Sequence, residues 1–200
     1  MIHRRGAEDA EVTQRVRTNI MKSLLVCLTL TCLVVAPLVN AQQTRTEKDL
    51  LGEKQIPADA YYGVQTARAL ENFKLSGVLI NHYPGFVEAW AIVKLAAARA
   101  NADVGAMKPD RLAAIEKASQ AVLAGKYHDQ FKVDWYQGGA GTSTNMNANE
   151  VMANVGLELG GHKKGEYNLL EPHDDLNMSQ STNDSYPTAI KVAFLLRNES

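Results

Sequence analysis

The sequence predicts a mainly α-helical protein, on three observations. From residue 84 onward apolar residues recur at spacings of three or four, Pro or Asp stands where most of the stretches open, and glycines stand where most of them close. With 46% hydrophobic and 22% charged residues, 200 positions suffice for one core and at most two domains; collagenous and wholly disordered classes are excluded. A net charge of −1 gives no electrostatic reason to expect a nucleic-acid partner.

In chain order, residues 1–41 read as a targeting region. Lys22 precedes the apolar stretch Leu24 to Val35, followed by Pro37 and Val39-Asn40-Ala41. A basic start, a short apolar run and a small residue at the end predict a secretory signal peptide cleaved after Ala41. The alternative of a membrane anchor needs about 20 apolar positions, and Pro37 interrupts the run too early. The charge mixture ahead of it, with Glu8, Asp9 and Glu11 among arginines, makes Met21 a candidate true start. The expected product is exported to the periplasm or secreted, and is not membrane-bound after cleavage. Residues 42–200 carry 16 basic and 19 acidic groups, net −3, and no cysteine. That excludes disulfides, thiol catalysis and zinc-cysteine sites in the mature part.

Gln42 to Lys48 is expected to be a mobile polar leader. Asp49 to Phe73 mixes Gly52, Pro57 and Gly63 with aromatics, which predicts an irregular or short-stranded segment. A first helix is expected after Pro84, with Phe86, Trp90, Val93 and Ala97 facing inward and Gly105 as its stop. A second opens at Pro109-Asp110, places Leu112, Ile115, Ser119 and Val122 on one stripe, and ends at Gly125. A third runs from about Asn147 to Leu159, with Ala148, Met152, Val155 and Leu159 inward and Gly160-Gly161 after it. The last starts near Asp184, whose carboxylate is expected to cap it, and is still running at Ser200, so the sequence reads as cut inside an element.

Two loops carry candidate chemistry. The first, Gln137 to Asn147, holds three glycines followed by Thr142, Ser143, Thr144 and Asn145. Glycines admit close backbone approach, and amides at a helix start favour an anion such as a carboxylate. The second, Ser179-Gln180-Ser181-Thr182-Asn183-Asp184, again precedes a helix. Each loop alone is equally well read as a polar turn with a helix cap; together they suggest donors converging on one small polyanion. His82, His128, His162 and His173 lack metal-ligand spacing, so no metal site is expected, and Asp174-Asp175 and Glu166 read as solvated surface.

At these loops the chain resembles the aspartase/fumarase superfamily. The matching stretches are Asp49 to Glu53, Pro57 to Thr66, Glu71 to Phe73, Asp129 to Phe131, Val133-Asp134, Tyr136 to Thr142, Asn145 to Asn147, Asn149 to Val151, Gly165 to Tyr167, Gln180 to Asp184 and Pro187-Thr188, spread over residues 47–200. Class II fumarases of the superfamily read Gly-Ser-Gly-Thr-Gln-Ser-Asn at the first loop and Ser-Ser-Asn-Asp at the second. Here Gly139-Ala140-Gly141-Thr142-Ser143-Thr144-Asn145 and Ser181-Thr182-Asn183-Asp184 resemble the aspartases instead.

The resemblance implies the N-terminal domain of that fold over residues 42–184, and the start of the first central-bundle helix over 185–200. It implies an ammonia-lyase that reversibly deaminates L-aspartate to fumarate and ammonia, as a homotetramer and without a cofactor. Thr142, Ser181, Thr182 and Asn183 would contact substrate, and Ser143 and Asn145 would support the first loop. Two departures stand out. Glu171-Pro172-His173-Asp174 replaces the family's His-Pro-Asn-Asp, which puts a secondary anion site in doubt, and Met178 stands where the family has Lys. The family's catalytic serine lies in a later loop that these 200 residues do not contain, so the expectation is an N-terminal fragment, inactive alone. A class II fumarase-like lyase and an inactive dicarboxylate-binding remnant are the alternative readings.

Overall fold

A computed structural model describes residues 14–22, 43–137 and 139–198. The chain divides into two compact units, Met1–Ala41 and Gln42–Ser200, each described by itself. In the first, residues 14–22 form an exposed helix (α1). The apolar stretch and cleavage position of the expected signal peptide lie outside the described residues.

The second unit is mainly helical. It opens with an antiparallel hairpin, β1 (Thr44–Asp49) and β2 (Gly52–Pro57), whose register pairs Thr44 with Pro57 and Asp49 with Gly52. From Thr44 on, the expected mobile leader is therefore a strand. Its order comes from below: Arg45 donates to the carbonyls of Pro57, Ala60 and Tyr62 and pairs with Glu47 at 2.8 Å. A helix that the sequence signals did not predict, α2 (Val64–Asn72), follows. Its first turn is held by two carboxylates from elsewhere. Glu47 accepts the Val64 amide, and the buried Glu150 accepts those of Gly63, Gln65 and Thr66 at 2.7 to 3.0 Å. Acidic groups at a helix start satisfy amides that have no intrahelical partner.

Helix α3 (Phe86–Asp103) begins at Gly85, which adopts φ +80°. Its inward face is rotated from the expected stripe: Phe86, Trp90, Lys94, Ala98 and Asn101 are buried, while Val93 and Ala97 are only half-buried. Helix α4 (Pro109–Leu123) matches its expected start and stripe, with Ile115, Ser119 and Val122 buried and Leu112 packed against them. Helix α5 (Thr142–Leu159) starts five residues before the expected Asn147 and is buried on nearly every side; its end is the exception, because Leu159 is 43% exposed rather than inward. Helix α6 (Thr182–Asn198) buries only Ser185 and Ala189.

Helix α3 packs against α4 and α6, and α5 packs against α2, α4 and α6. Trp90, Ile115, Phe131, Met152, Leu157, Leu170 and Leu176 fill the common core. Polar side chains of α5 stitch the surrounding loops to it: Asn147 bonds the Gln130 carbonyl and the Lys132 amide, and Asn154 bonds the Tyr61 carbonyl and the Gly165 amide. Burying the Asn147 and Asn154 amides is tolerable because both find partners. Among the described residues no helix is long and apolar enough to cross a membrane.

Candidate functional site

The first loop reaches α5 through a left-handed turn. Gly139 and Gly141 have φ of +75° and +92°, conformations that L side chains rarely adopt. A Cβ on Gly141 would meet the Tyr186 ring at 2.3 Å, so glycine is required for close approach as well as for conformation. Gln137 folds back over the new helix: its Oε1 accepts the Thr144 amide at 2.9 Å and its Nε2 donates to the Thr144 hydroxyl. Thr142, at the first helical position, is exposed and Ser143 is half-buried.

The second loop ends in a reciprocal cap. The Ser181 hydroxyl accepts the Asn183 amide at 3.2 Å, while the Asp184 carboxylate accepts the Ser181 amide at 3.1 Å. Ser181 thus supplies the cap that the sequence assigned to Asp184, because α6 starts at Thr182, two residues earlier than expected.

The loops meet. Asn145 of α5 is fully buried and donates from Nδ2 to Thr182 Oγ1 at 3.0 Å and to Asn177 Oδ1 at 2.9 Å. A cleft of about 550 Å³ is lined by Trp135 to Gln137 and Gly139 to Gly141 on one side, and by Asn183, Tyr186 and Pro187 on the other. Of the sequence-predicted residues, Asn145 and Thr182 are joined directly and Asn183 faces the glycine loop across the cleft. Thr142 and Ser143 make no hydrogen bond to the second loop among the described residues, and Ser181 serves the cap.

Beneath the loops lies a group the sequence reading missed. Lys94 of α3 is 1% exposed, and its Nζ donates to Asn145 Oδ1, Asn177 Oδ1 and Gln180 Oε1 at 2.7, 3.0 and 3.0 Å. Burial pushes its ammonium down to about 7, against the opposing field of Asp184. Its position four residues after Trp90 and four before Ala98, in line with apolar residues, was the available signal.

The acidic residues outside the loops divide. Asp175, expected on the surface, is half-buried and bonds Arg111 at 2.6 Å. Glu171, His173 and Asp174 place one ligand atom each within 4.8 Å of one another, a grouping that sequence spacing did not suggest. Glu171 is already engaged there by the backbone amides of His173 and Asp174.

A protein-family model described as Lyase matches residues 52–200. The chain belongs to this lyase family. It is 58% identical over 157 residues to the aspartate ammonia-lyase of Pseudomonas aeruginosa, covering 78% of this chain and 33% of that protein. Against the aspartate ammonia-lyase of Escherichia coli K12 it is 55% identical over 150 residues, covering 74% and 31%. Among solved structures, a fumarate lyase:delta crystallin of Brucella melitensis superposes with a TM-score of 0.77 at 54% identity, covering 78% of this chain and 35% of that one. A class II fumarase of Schistosoma mansoni superposes at 0.70 with 33% identity, covering 78% and 33%. The lyase chain described here spans about a third of the length of the relatives it matches.

Proposed function

We propose that this chain supplies substrate-holding loops to an aspartate ammonia-lyase-type enzyme, which reversibly converts L-aspartate to fumarate and ammonia. The observation that carries the reading is the meeting of the two donor loops through Asn145 and Thr182 beside a glycine-lined cleft. In the elimination, a base removes a proton from Cβ, leaving extra negative charge on the adjacent carboxylate. The Cα–N bond then breaks, its electron pair leaving with the amine. Fixed neutral donors that gain strength as that charge develops accelerate the step more than they tighten ground-state binding. The hydroxyls of Thr142 and Thr182 and the side-chain amide of Asn183, with the Thr142 and Ser143 backbone amides at the start of α5, are donors of that kind.

The relatives favour aspartate over malate: identity is 54 to 58% to three Pseudomonas aspartate ammonia-lyases and 33% to a class II fumarase. A homotetramer, and export directed by the region before Ala41, complete the proposal. The test is ultraviolet detection of fumarate from L-aspartate and separately from L-malate with any longer product of the same gene, this chain alone being expected to form none. Fumarate from aspartate alone supports the reading. Fumarate from malate alone overturns it in favour of a fumarase.

A further inference from the structure

Lys94 can only donate hydrogen bonds, so whatever faces it must accept. The amides of Asn145, Asn177 and Gln180 therefore turn their oxygens inward to Nζ and their NH2 groups away from it. For Asn177 and Gln180 the NH2 groups go to the backbone carbonyls of Gln180 and Leu176, which locks the second loop. For Asn145 the NH2 group goes to Thr182 Oγ1. Thr182, having accepted, keeps its own hydroxyl hydrogen, and Oγ1 makes no other hydrogen bond among the described residues. One ammonium thus dictates the orientation of three amides and leaves one hydroxyl as a committed donor.

We propose that Lys94 is a positioning residue for anion binding: through Asn145 it commits the Thr182 hydroxyl to donate outward, and it places a buried positive charge under the two loops where a dicarboxylate would sit. The inference deepens the proposed function and rests on it for the identity of the anion. No carboxylate touches Nζ among the described residues. The groups that face it are the Trp90 ring at 5.4 Å from α3, Asn145 from α5, Asn177 and Gln180 from the second loop, and Asp184 of α6 through its field. An ammonium held by neutral amides and only partly offset by the field of Asp184 keeps a net positive charge, and in a weakly polarisable interior that charge acts strongly on an arriving anion. An ammonium that titrates near neutrality will also take up a proton when the anion binds.

The test uses the 200-residue chain, nuclear magnetic resonance of the Lys94 Nζ, Asn145 Nδ2 and Thr182 side-chain signals across pH 7, and succinate as the probe dicarboxylate. In the unmutated protein the Asn145 and Thr182 signals are expected to shift with the same midpoint as Lys94. Succinate is expected to raise that midpoint, with proton uptake on binding just above pH 7. Lys94→Met is expected to abolish the coupled shift and weaken succinate at least tenfold. Flat Asn145 and Thr182 signals while Lys94 titrates would overturn the proposal, as would equal succinate affinity in Lys94→Met. The resonance arm needs no variant and stands even where Lys94→Met fails to fold. An unmutated chain that binds no succinate would sink the dicarboxylate site as a whole, while the coupled titration would still decide whether Lys94 orients Thr182.

Discussion

Asn145 and Thr182, 37 residues apart, are joined by a hydrogen bond of 3.0 Å from Nδ2 to Oγ1. Asn145 also accepts from Lys94 at 2.7 Å, so it is the element through which the first loop, the second loop and α3 hold a common geometry. Replacing it removes one acceptor each from a buried ammonium and the Ser185 hydroxyl, and one donor from each of Asn177 and Thr182. Asn145→Ala is expected to lower unfolding free energy by about 2 to 3 kcal/mol in urea denaturation, the cost of leaving buried partners unsatisfied. A change below 0.5 kcal/mol, measured against about 1 for an ordinary neutral hydrogen bond, would show that Lys94 finds other acceptors.

Local punctuation made α4 legible, since Pro109 opens it, Gly125 follows it and its apolar residues keep one phase. The hairpin was legible only in part: short strands were expected from Asp49 onward, but its turn, Leu50-Leu51, lacks the usual Asn-Gly signal and its strands are polar apart from Ile56 and Pro57. The early start of α5 was hidden for a different reason. Thr142 to Asn145 and Asn147 are weak helix formers, and Gln137 just ahead of them, with Lys94 and Asn177 from distant parts of the sequence, holds them in the helix. The hydroxyl- and amide-rich loops were legible as candidates from their residue types, whereas the Lys94 beneath them is read in a sequence as an ordinary charged surface position.

Gly141 combines φ +92° with a backbone pressed against the Tyr186 ring. Gly141→Ala would strain the backbone and push Tyr186 out of its contact with Trp90 and Phe86. The expected loss is about 3 kcal/mol in thermal or urea unfolding, combining left-handed strain with overpacking. Gly139→Ala, where a Cβ would meet only Thr142 Oγ1 at 3.5 Å, should cost less because only the backbone strain remains. Equal losses for the two would show that the Tyr186 contact contributes nothing.

Burial pushes the Glu150 carboxyl up to about 7, against the opposing pull of the Thr66, Gln65 and Gly63 amides that favour its charged form. Its folded pKa lies above the ordinary 4.5, so the folded state binds the proton more tightly than the unfolded chain. Its stabilising contribution is therefore full below pH 4.5 and is lost as pH rises through about 7. Up to about 3 kcal/mol is at stake over that window. Glu150→Gln is expected to lower stability overall, since its NH2 group would face amide donors, and to flatten this slope. Urea midpoints collected from pH 4.5 to above 7 test it, and an unchanged slope in the variant would assign the dependence to other groups.

Ser181 and Thr182 are neighbours with separable roles. Ser181 accepts the Asn183 amide and completes the cap with Asp184, so Ser181→Ala is expected to cost about 1 kcal/mol of stability. Ser181→Asp keeps a good cap and should restore that stability, yet its added negative charge should weaken succinate binding at least tenfold. Thr182→Val keeps the shape of the first helical residue and removes the hydroxyl. Asn145 Nδ2 still reaches Asn177 Oδ1 at 2.9 Å, so the stability cost should stay near or below about 1 kcal/mol. Succinate affinity, followed by calorimetric titration, should nevertheless fall at least tenfold, because the lost group is the donor committed to the anion. If Thr182→Val binds succinate like the unmutated chain while Ser181→Ala does not, the substrate-facing hydroxyl belongs to Ser181, and the cap is a secondary use of the same oxygen.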